Sequence, residues 1–191
     1  MPDLPNRADR EAELAAALML LFKDHSVSAG AVADAVREPL RKTYIDGSLN
    51  LLQATSSDPH PAPSNDAMDI EAEKWAKGYA ITLGKEIADS TRELLDGAAN
   101  IDAVYGHPRA EMIAATEVTR AISAAEAWLV VFWAAEGFES HERRWHTEGD
   151  GHVCPICRPL NRAPESVWAD RIPAGPPAHP NCRCWLDYQV P

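Results

Sequence analysis

The chain has 191 residues, an apolar fraction of 46% and a formal charge of −11 at pH 7, enough for one ordinary domain or for a helical segment with a small second module. Residues 141–191 hold six basic residues against six acidic ones, so all the excess negative charge lies before residue 141; that excludes unassisted, sequence-independent binding of a phosphate backbone by the chain as a whole and leaves only a weak DNA contact for the tail. The apolar run 14–22 lacks a basic leader and a small-residue cleavage site, and the richest later stretch, 127–135, is short, so neither a signal peptide nor a membrane span is expected.

Residues 8–23 place Leu14, Leu18, Leu21 and Phe22 on one helical face, with Asp9, Glu11 and Glu13 in the first turns, where the helix dipole favours negative charge. Ser28 suits the cap of a second helix carrying Val32 and Val36. Pro39 is expected to interrupt it, and Leu40, Tyr44, Leu51 and Leu52 suggest a third, less regular helix. Residues 1–54 thus read as an N-terminal helical segment. The stretch TSSDPHPAPSND has prolines at 59, 61 and 63 and no large apolar residue, so 55–66 reads as an extended, Pro-rich linker.

From about residue 67 to 96, Met68, Ala72, Trp75, Tyr79, Leu83 and Ile87 recur at helical steps; Gly97 is placed to end the run, and Gly78 and Gly84 weaken it. Pro108 suits the first turn of a further helix, striped by Met112, Ala115, Val118, Ile122, Ala125, Leu129 and Phe132 as far as Gly137. Residues 67–140 are therefore expected to form a long helical pair. Beyond it the character changes: eight of the fifteen prolines fall in 151–191, helical periodicity vanishes, and only short strands around 142–147 and 183–188 are credible. The expected class is α+β, mainly helical, with a small zinc-stabilised β module at 141–191.

All four cysteines lie in that module. Cys154 and Cys157 are separated by two residues, one of them Pro155, a spacing that lets both sulfurs approach one ion from adjacent tetrahedral corners. After twenty-one intervening residues, His179-Pro180-Asn181-Cys182-Arg183-Cys184 offers a second half-site. Without an export signal, cysteines paired with a histidine read better as a metal site than as disulfides. Five candidates, Cys154, Cys157, His179, Cys182 and Cys184, compete for four tetrahedral places. If Arg183 lies in a strand, Cys182 and Cys184 share a face and either can ligate; the preferred set is Cys154, Cys157, His179 and Cys182. Thiolates with one imidazole suit zinc. A proline-rich tail with few aliphatic residues needs such a clip, around which Trp145, Trp168 and Trp185 are expected to pack.

Catalytic readings fare worse. His146-Thr147-Glu148 superficially matches a deaminase H-x-E element, but only five residues separate Glu148 from Cys154, and proline follows the first cysteine instead of preceding it. A metal-dependent nuclease would need an open coordination position with Asp150, His146 or His152 as base; a closed Cys-rich site leaves none, and those residues read as polar loop residues or outer partners of the ligands. Glu117 and Arg120, three apart, read as a solvated ion pair.

Trp145-His146-Thr147, Asp150, Val153-Cys154-Pro155-Ile156-Cys157 and the ending from Pro176 through His179-Pro180-Asn181-Cys182-Arg183-Cys184 together resemble the Mu F-like head morphogenesis domain of tailed phages. The helical stretch Ala115-Thr116-Glu117-Val118-Thr119-Arg120 is similar to that family's Arg-Thr-Glu helix, with Ala115 in place of the usual arginine. The likeness covers residues 72–190 and leaves 1–66 unmatched. It implies a structural, non-enzymatic minor head protein inside the virion head, assembled in the bacterial host cytoplasm. The implied partners are the portal and other head proteins, with a role in head assembly or DNA passage. The alternatives carried alongside are a metal-dependent nuclease and a free-standing zinc-stabilised interaction module.

Overall fold

The computed structural model describes residues 4–55, 60–97, 100–138, 142–148 and 153–189. Five helices come first: α1 (Arg7–Lys23), α2 (Ala29–Ala54), α3 (Asn65–Asp96), the short α4 (Ile101–Tyr105) and α5 (His107–Ala135). The tail adds β1 (Glu142–His146), a 3-10 turn (Arg158–Leu160), α6 (Glu165–Trp168) and β2 (Trp185–Gln189). The fold is therefore α+β and mainly helical, as its periodicities require.

Among the described residues, side-chain caps start three of the six α-helices. Ser28 accepts the amide of Ala31 at 3.2 Å, Ser64 that of Ala67 at 3.1 Å and Asn100 that of Asp102 at 3.0 Å, each satisfying a donor that the first turn leaves without a partner. Pro39 does not interrupt the second helix: α2 runs unbroken through it. An internal proline costs a helix about 3 kcal/mol. On the same helix Val32, Val36, Leu40, Tyr44 and Leu51 are all buried, and at about 1.5–3 kcal/mol for each large apolar side chain that face outweighs the lost bond.

Two apolar clusters organise the molecule. In the first, Leu14, Leu18 and Phe22 of α1 meet Val32, Val36 and Leu40 of α2, Ala76, Ala80, Leu83 and Ile87 of α3, and Ala110, Ala114, Val118 and Ala121 of α5. On α3 the alanines face inward while Trp75 and Tyr79, expected in the stripe, lie half-buried at its margin. Met112 of α5 is 38% exposed, outside the stripe the sequence assigned to it. The stretch Ile101–Ala135 has the length and hydropathy of a membrane span, but here α5 is the helix on which both clusters close.

The second cluster joins Leu51 of α2 and Leu129 and Trp133 of α5 to Trp145, Cys157, Trp168, Cys182, Cys184, Leu186 and Tyr188 of the tail. The tail is thus richer in core than its composition suggested. β1 and β2 pair antiparallel, with Trp145 opposite Leu186 and His146 opposite Trp185. Residues 162–164 cover the other side of β1: the Trp145 amide donates to the Ala163 carbonyl at 3.0 Å and the Arg162 amide to the Trp145 carbonyl at 2.6 Å. The described end of the expected linker is fastened as well, since the Trp133 indole donates to the Pro61 carbonyl at 3.0 Å and His60 packs on Trp133 and Phe138.

The two glycines that the sequence marks as weak points of α3 differ in kind. A Cβ on Gly84 would stand 2.3 Å from the Ala29 carbonyl oxygen of α2, whereas one on Gly78 would meet nothing within 4 Å. Gly84→Ala is therefore expected to lower stability by about 1–3 kcal/mol through overpacking. Gly78→Ala should raise it by about 0.5–1 kcal/mol by removing unfolded-chain freedom. Urea unfolding midpoints of the two variants check the opposite signs.

Candidate metal centre

The antiparallel register puts one side of β2 into the second cluster, and the alternation continues upstream of the strand: Cys182, Cys184, Leu186 and Tyr188 are all buried, with Arg183, Trp185 and Asp187 only partly so. Cys182 and Cys184 thus share a face, as their spacing predicts. From the other half of the tail, the turn after Val153 folds back so that the Cys157 amide donates to the Cys154 sulfur at 3.3 Å and the Arg158 amide to the Cys154 carbonyl at 2.9 Å. Both sulfurs of the pair are turned toward the returning strand.

All five candidate ligands come together there, as two triads that share Cys157: Cys154, Cys157 and His179, and Cys157, Cys182 and Cys184, with ligand atoms in each triad within 4.8 Å of one another. The Cys157 and Cys182 sulfurs are 3.9 Å apart. Around a tetrahedral ion with metal–sulfur bonds of about 2.3 Å, sulfurs lie roughly 3.8 Å apart. His179 Nε2 sits 2.9 Å from the Cys154 sulfur and 3.2 Å from that of Cys157. Its other nitrogen, Nδ1, donates to the Pro180 carbonyl at 2.7 Å. That bond places the proton on Nδ1 and leaves the Nε2 lone pair directed into the cysteines, the arrangement a metal-binding imidazole needs. The donor set and its geometry fit a metal ion of the soft or borderline kind that thiolates and imidazole select.

The sulfurs also interact with one another. The Cys182 thiol is held well below its usual range by donation from the Cys157 and Cys184 thiols. Cys157 is correspondingly pushed up, first by its bonds to Cys182 and Cys184 and then by burial. For Cys184 the bond to Cys157 pulls down, but Cys182 and burial outweigh it and the net shift is upward. Thiols must lose their protons to ligate, so a cation entering here would release protons. Trp145 and Trp168 flank it, edge to face with centroids 5.6 Å apart. Trp185 lies on the opposite face of the sheet, stacked on His146.

His146 is therefore not among the clustered residues. Its Nε2 faces Asp187 at 3.6 Å, and burial lowers its pKa against the opposing pull of that carboxylate. Glu148 does reach the centre, lining with Asn181 and Arg183 a cleft of about 50 Å³ that opens onto Cys154, Cys157, His179, Cys182 and Cys184. Asp150 and His152 lie outside the described residues.

The loop carrying His179 and Cys182 rests on α5. Asn181 adopts φ 61°, a left-handed conformation that asparagine tolerates better than most residues, and its amide donates to the Thr116 hydroxyl at 2.7 Å. One turn on, the Thr119 hydroxyl donates to the Cys182 carbonyl at 2.6 Å. Arg7 of α1 donates to the Thr119 hydroxyl and, at 3.3 Å, to the Arg183 carbonyl. These three side chains were not singled out from the sequence as site residues. The threonines had a readable signal, two hydroxyls three apart on one helical face; Arg7 had none.

The same turn of α5 corrects the expectation of a solvated pair. Glu117 is only 6% exposed; its carboxylate accepts from the Tyr79 hydroxyl at 2.6 Å and from Arg120 at 3.1 Å. Burial raises its pKa in spite of both partners. A carboxyl raised above its unfolded value of about 4.5 adds stability that is full below that pH and is lost as pH climbs through the folded pKa. Glu117→Gln, which keeps an acceptor for Tyr79, is therefore expected to gain stability relative to the parent chain between pH 4 and pH 7. Urea curves at the two pH values measure it, and a difference independent of pH would contradict it.

A family model described as Phage Mu protein F like protein matches residues 74–187. No curated protein and no solved structure gives a match. The matched stretch runs from α3 through α5 to the middle of β2 and takes in all five candidate ligands and both threonines.

Proposed function

The chain belongs to the Phage Mu protein F like family, and from that premise we propose that it is a structural protein of a phage or prophage head, acting in head morphogenesis. The observation that carries this reading is the extent of the match, which includes the ligand cluster and the helix that supports it. In this role the protein works beside other head proteins, and the portal is the partner we assign to it. Its place is the interior of the virion head, reached by assembly in the host cytoplasm.

We read the metal centre as structural zinc, held by Cys154, Cys157 and His179 with Cys182 as fourth ligand and Cys184 beside it. Cys157 belongs to both triads, so the site depends on it more than on any other ligand. A donor set that can saturate the ion supports a non-enzymatic role. The divisions 1–54, 55–66, 67–140 and 141–191 are, in this reading, divisions of task. The helical part before residue 141 carries all the excess negative charge, which favours docking on a basic protein surface and disfavours more than a weak contact with DNA.

Two measurements test the reading. Elemental analysis of protein purified without chelator should give about one zinc per chain, and Cys157→Ser should abolish it; a much lower content in the parent chain defeats the metal assignment. In the phage or induced prophage, mass spectrometry of nuclease-treated particles should find the chain in heads, and its deletion should leave heads defective. Normal infectious particles lacking the chain would defeat the head assignment.

A further inference from the structure

The His179–Cys184 segment has little to hold its own shape. Pro180 carries no amide hydrogen, Asn181 sits at positive φ, and among the described residues its one backbone hydrogen bond to itself runs from the Cys182 amide to the His179 carbonyl at 3.2 Å. Three of its other backbone groups are held from outside. Thr116 takes the Asn181 amide, Thr119 the Cys182 carbonyl and Arg7 the Arg183 carbonyl. Thr116 is itself fixed by donating to the Met112 carbonyl at 2.7 Å. Arg7 is buried, 6% exposed, and its guanidinium is divided between Glu11 of its own helix at 2.8 Å, the Thr119 hydroxyl and the loop carbonyl.

We propose that Arg7, Thr116 and Thr119 are positioning residues of the metal centre, and that through Arg7 the docking of α1 and the binding of metal stabilise each other. This inference rests on the metal reading above. Among the described residues, the hydrogen bonds of these three side chains go to backbone and other side-chain groups and not to a ligand sulfur or the imidazole. They orient the backbone on either side of Cys182, and so decide whether its sulfur points at Cys157. A metal ion that fixes this backbone fixes the carbonyl that Arg7 grips. By linkage the effect is reciprocal: whatever α1 docking adds to metal affinity, metal adds to α1 docking. Thr116 and Thr119 fall within the family match, whereas Arg7 lies well before it.

The test uses the full chain. Zinc affinity is measured by competition with a chromophoric chelator for the parent, Thr119→Val, Arg7→Gln and, as a control destabilised far from the site, Gly84→Ala. The cobalt-substituted spectrum reports the ligand set. Thr119→Val and Arg7→Gln are expected to bind zinc about 10–100-fold more weakly with unchanged cobalt bands, and Gly84→Ala within twofold of the parent. In the parent chain, removing zinc should speed amide exchange in residues 8–22; this comparison decides the matter even if a variant fails to fold. Unchanged affinities in the two variants, or α1 exchange indifferent to zinc, would overturn the proposal and leave the metal centre standing. A parent chain that takes up neither zinc nor cobalt would overturn both.

Discussion

Helix α5 has to serve two cores with one body, and most of the structure follows from how it does so. Its N-terminal half must let α1, α2 and α3 approach together, so it presents Ala110, Ala114, Val118 and Ala121, side chains small enough for close crossings. Its C-terminal turns face a wider gap between α2 and the tail, and there the helix presents Leu129 and Trp133. Thr116 and Thr119 lie within the first of these stretches, and their hydroxyls meet the backbone of the ligand loop. A helix that is small at one end, broad at the other and polar on the side toward the loop acts as the gauge for the distance between bundle and tail.

The close crossings also explain why some expectations from the sequence held and others did not. Periodicity finds a face, and it found those of α1, α3 and α5 because leucine, isoleucine and phenylalanine repeat at helical steps. It ranks large residues above small ones, so it placed Trp75 and Tyr79 in the α3 stripe where the structure buries Ala76 and Ala80. Packing at short interhelical distance reverses that ranking. Pro39 misled for a related reason: the rule that proline ends helices describes an isolated segment, and α2 is held on both sides of it by tertiary burial. The start of α3 at Asn65 was hidden in polar residues that read as linker, although Ser64 is its cap.

For the candidate centre, spacing carried much of the information. Two residues between Cys154 and Cys157, and one between Cys182 and Cys184, fix local geometry whatever surrounds them, and the structure brings all four sulfurs and His179 together. What spacing cannot encode is support from afar. Arg7 stands 176 residues from the carbonyl it holds, and no local pattern marks an arginine for that task. Glu117 was misread through the same blindness. Its i,i+3 partner Arg120 is visible in the sequence; the phenol of Tyr79, which together with burial makes the pair an interior one, arrives from another helix.

The alternation that begins at Cys182 has a consequence for how this chain can change over evolutionary time. Cys182, Cys184, Leu186 and Tyr188 sit on a single parity, so ligand chemistry and hydrophobic sorting are written in one frame. Inserting or deleting one residue between Cys184 and Leu186 would turn the aromatic and aliphatic side chains outward while leaving the sulfurs in place, and no point substitution could compensate. Length drift is therefore forbidden in this stretch by odd steps, even where single replacements are harmless. The turn after α6, where Asp170, Arg171, Pro173 and Ala174 are exposed, carries no such parity, which makes it the place where diversity between relatives should accumulate.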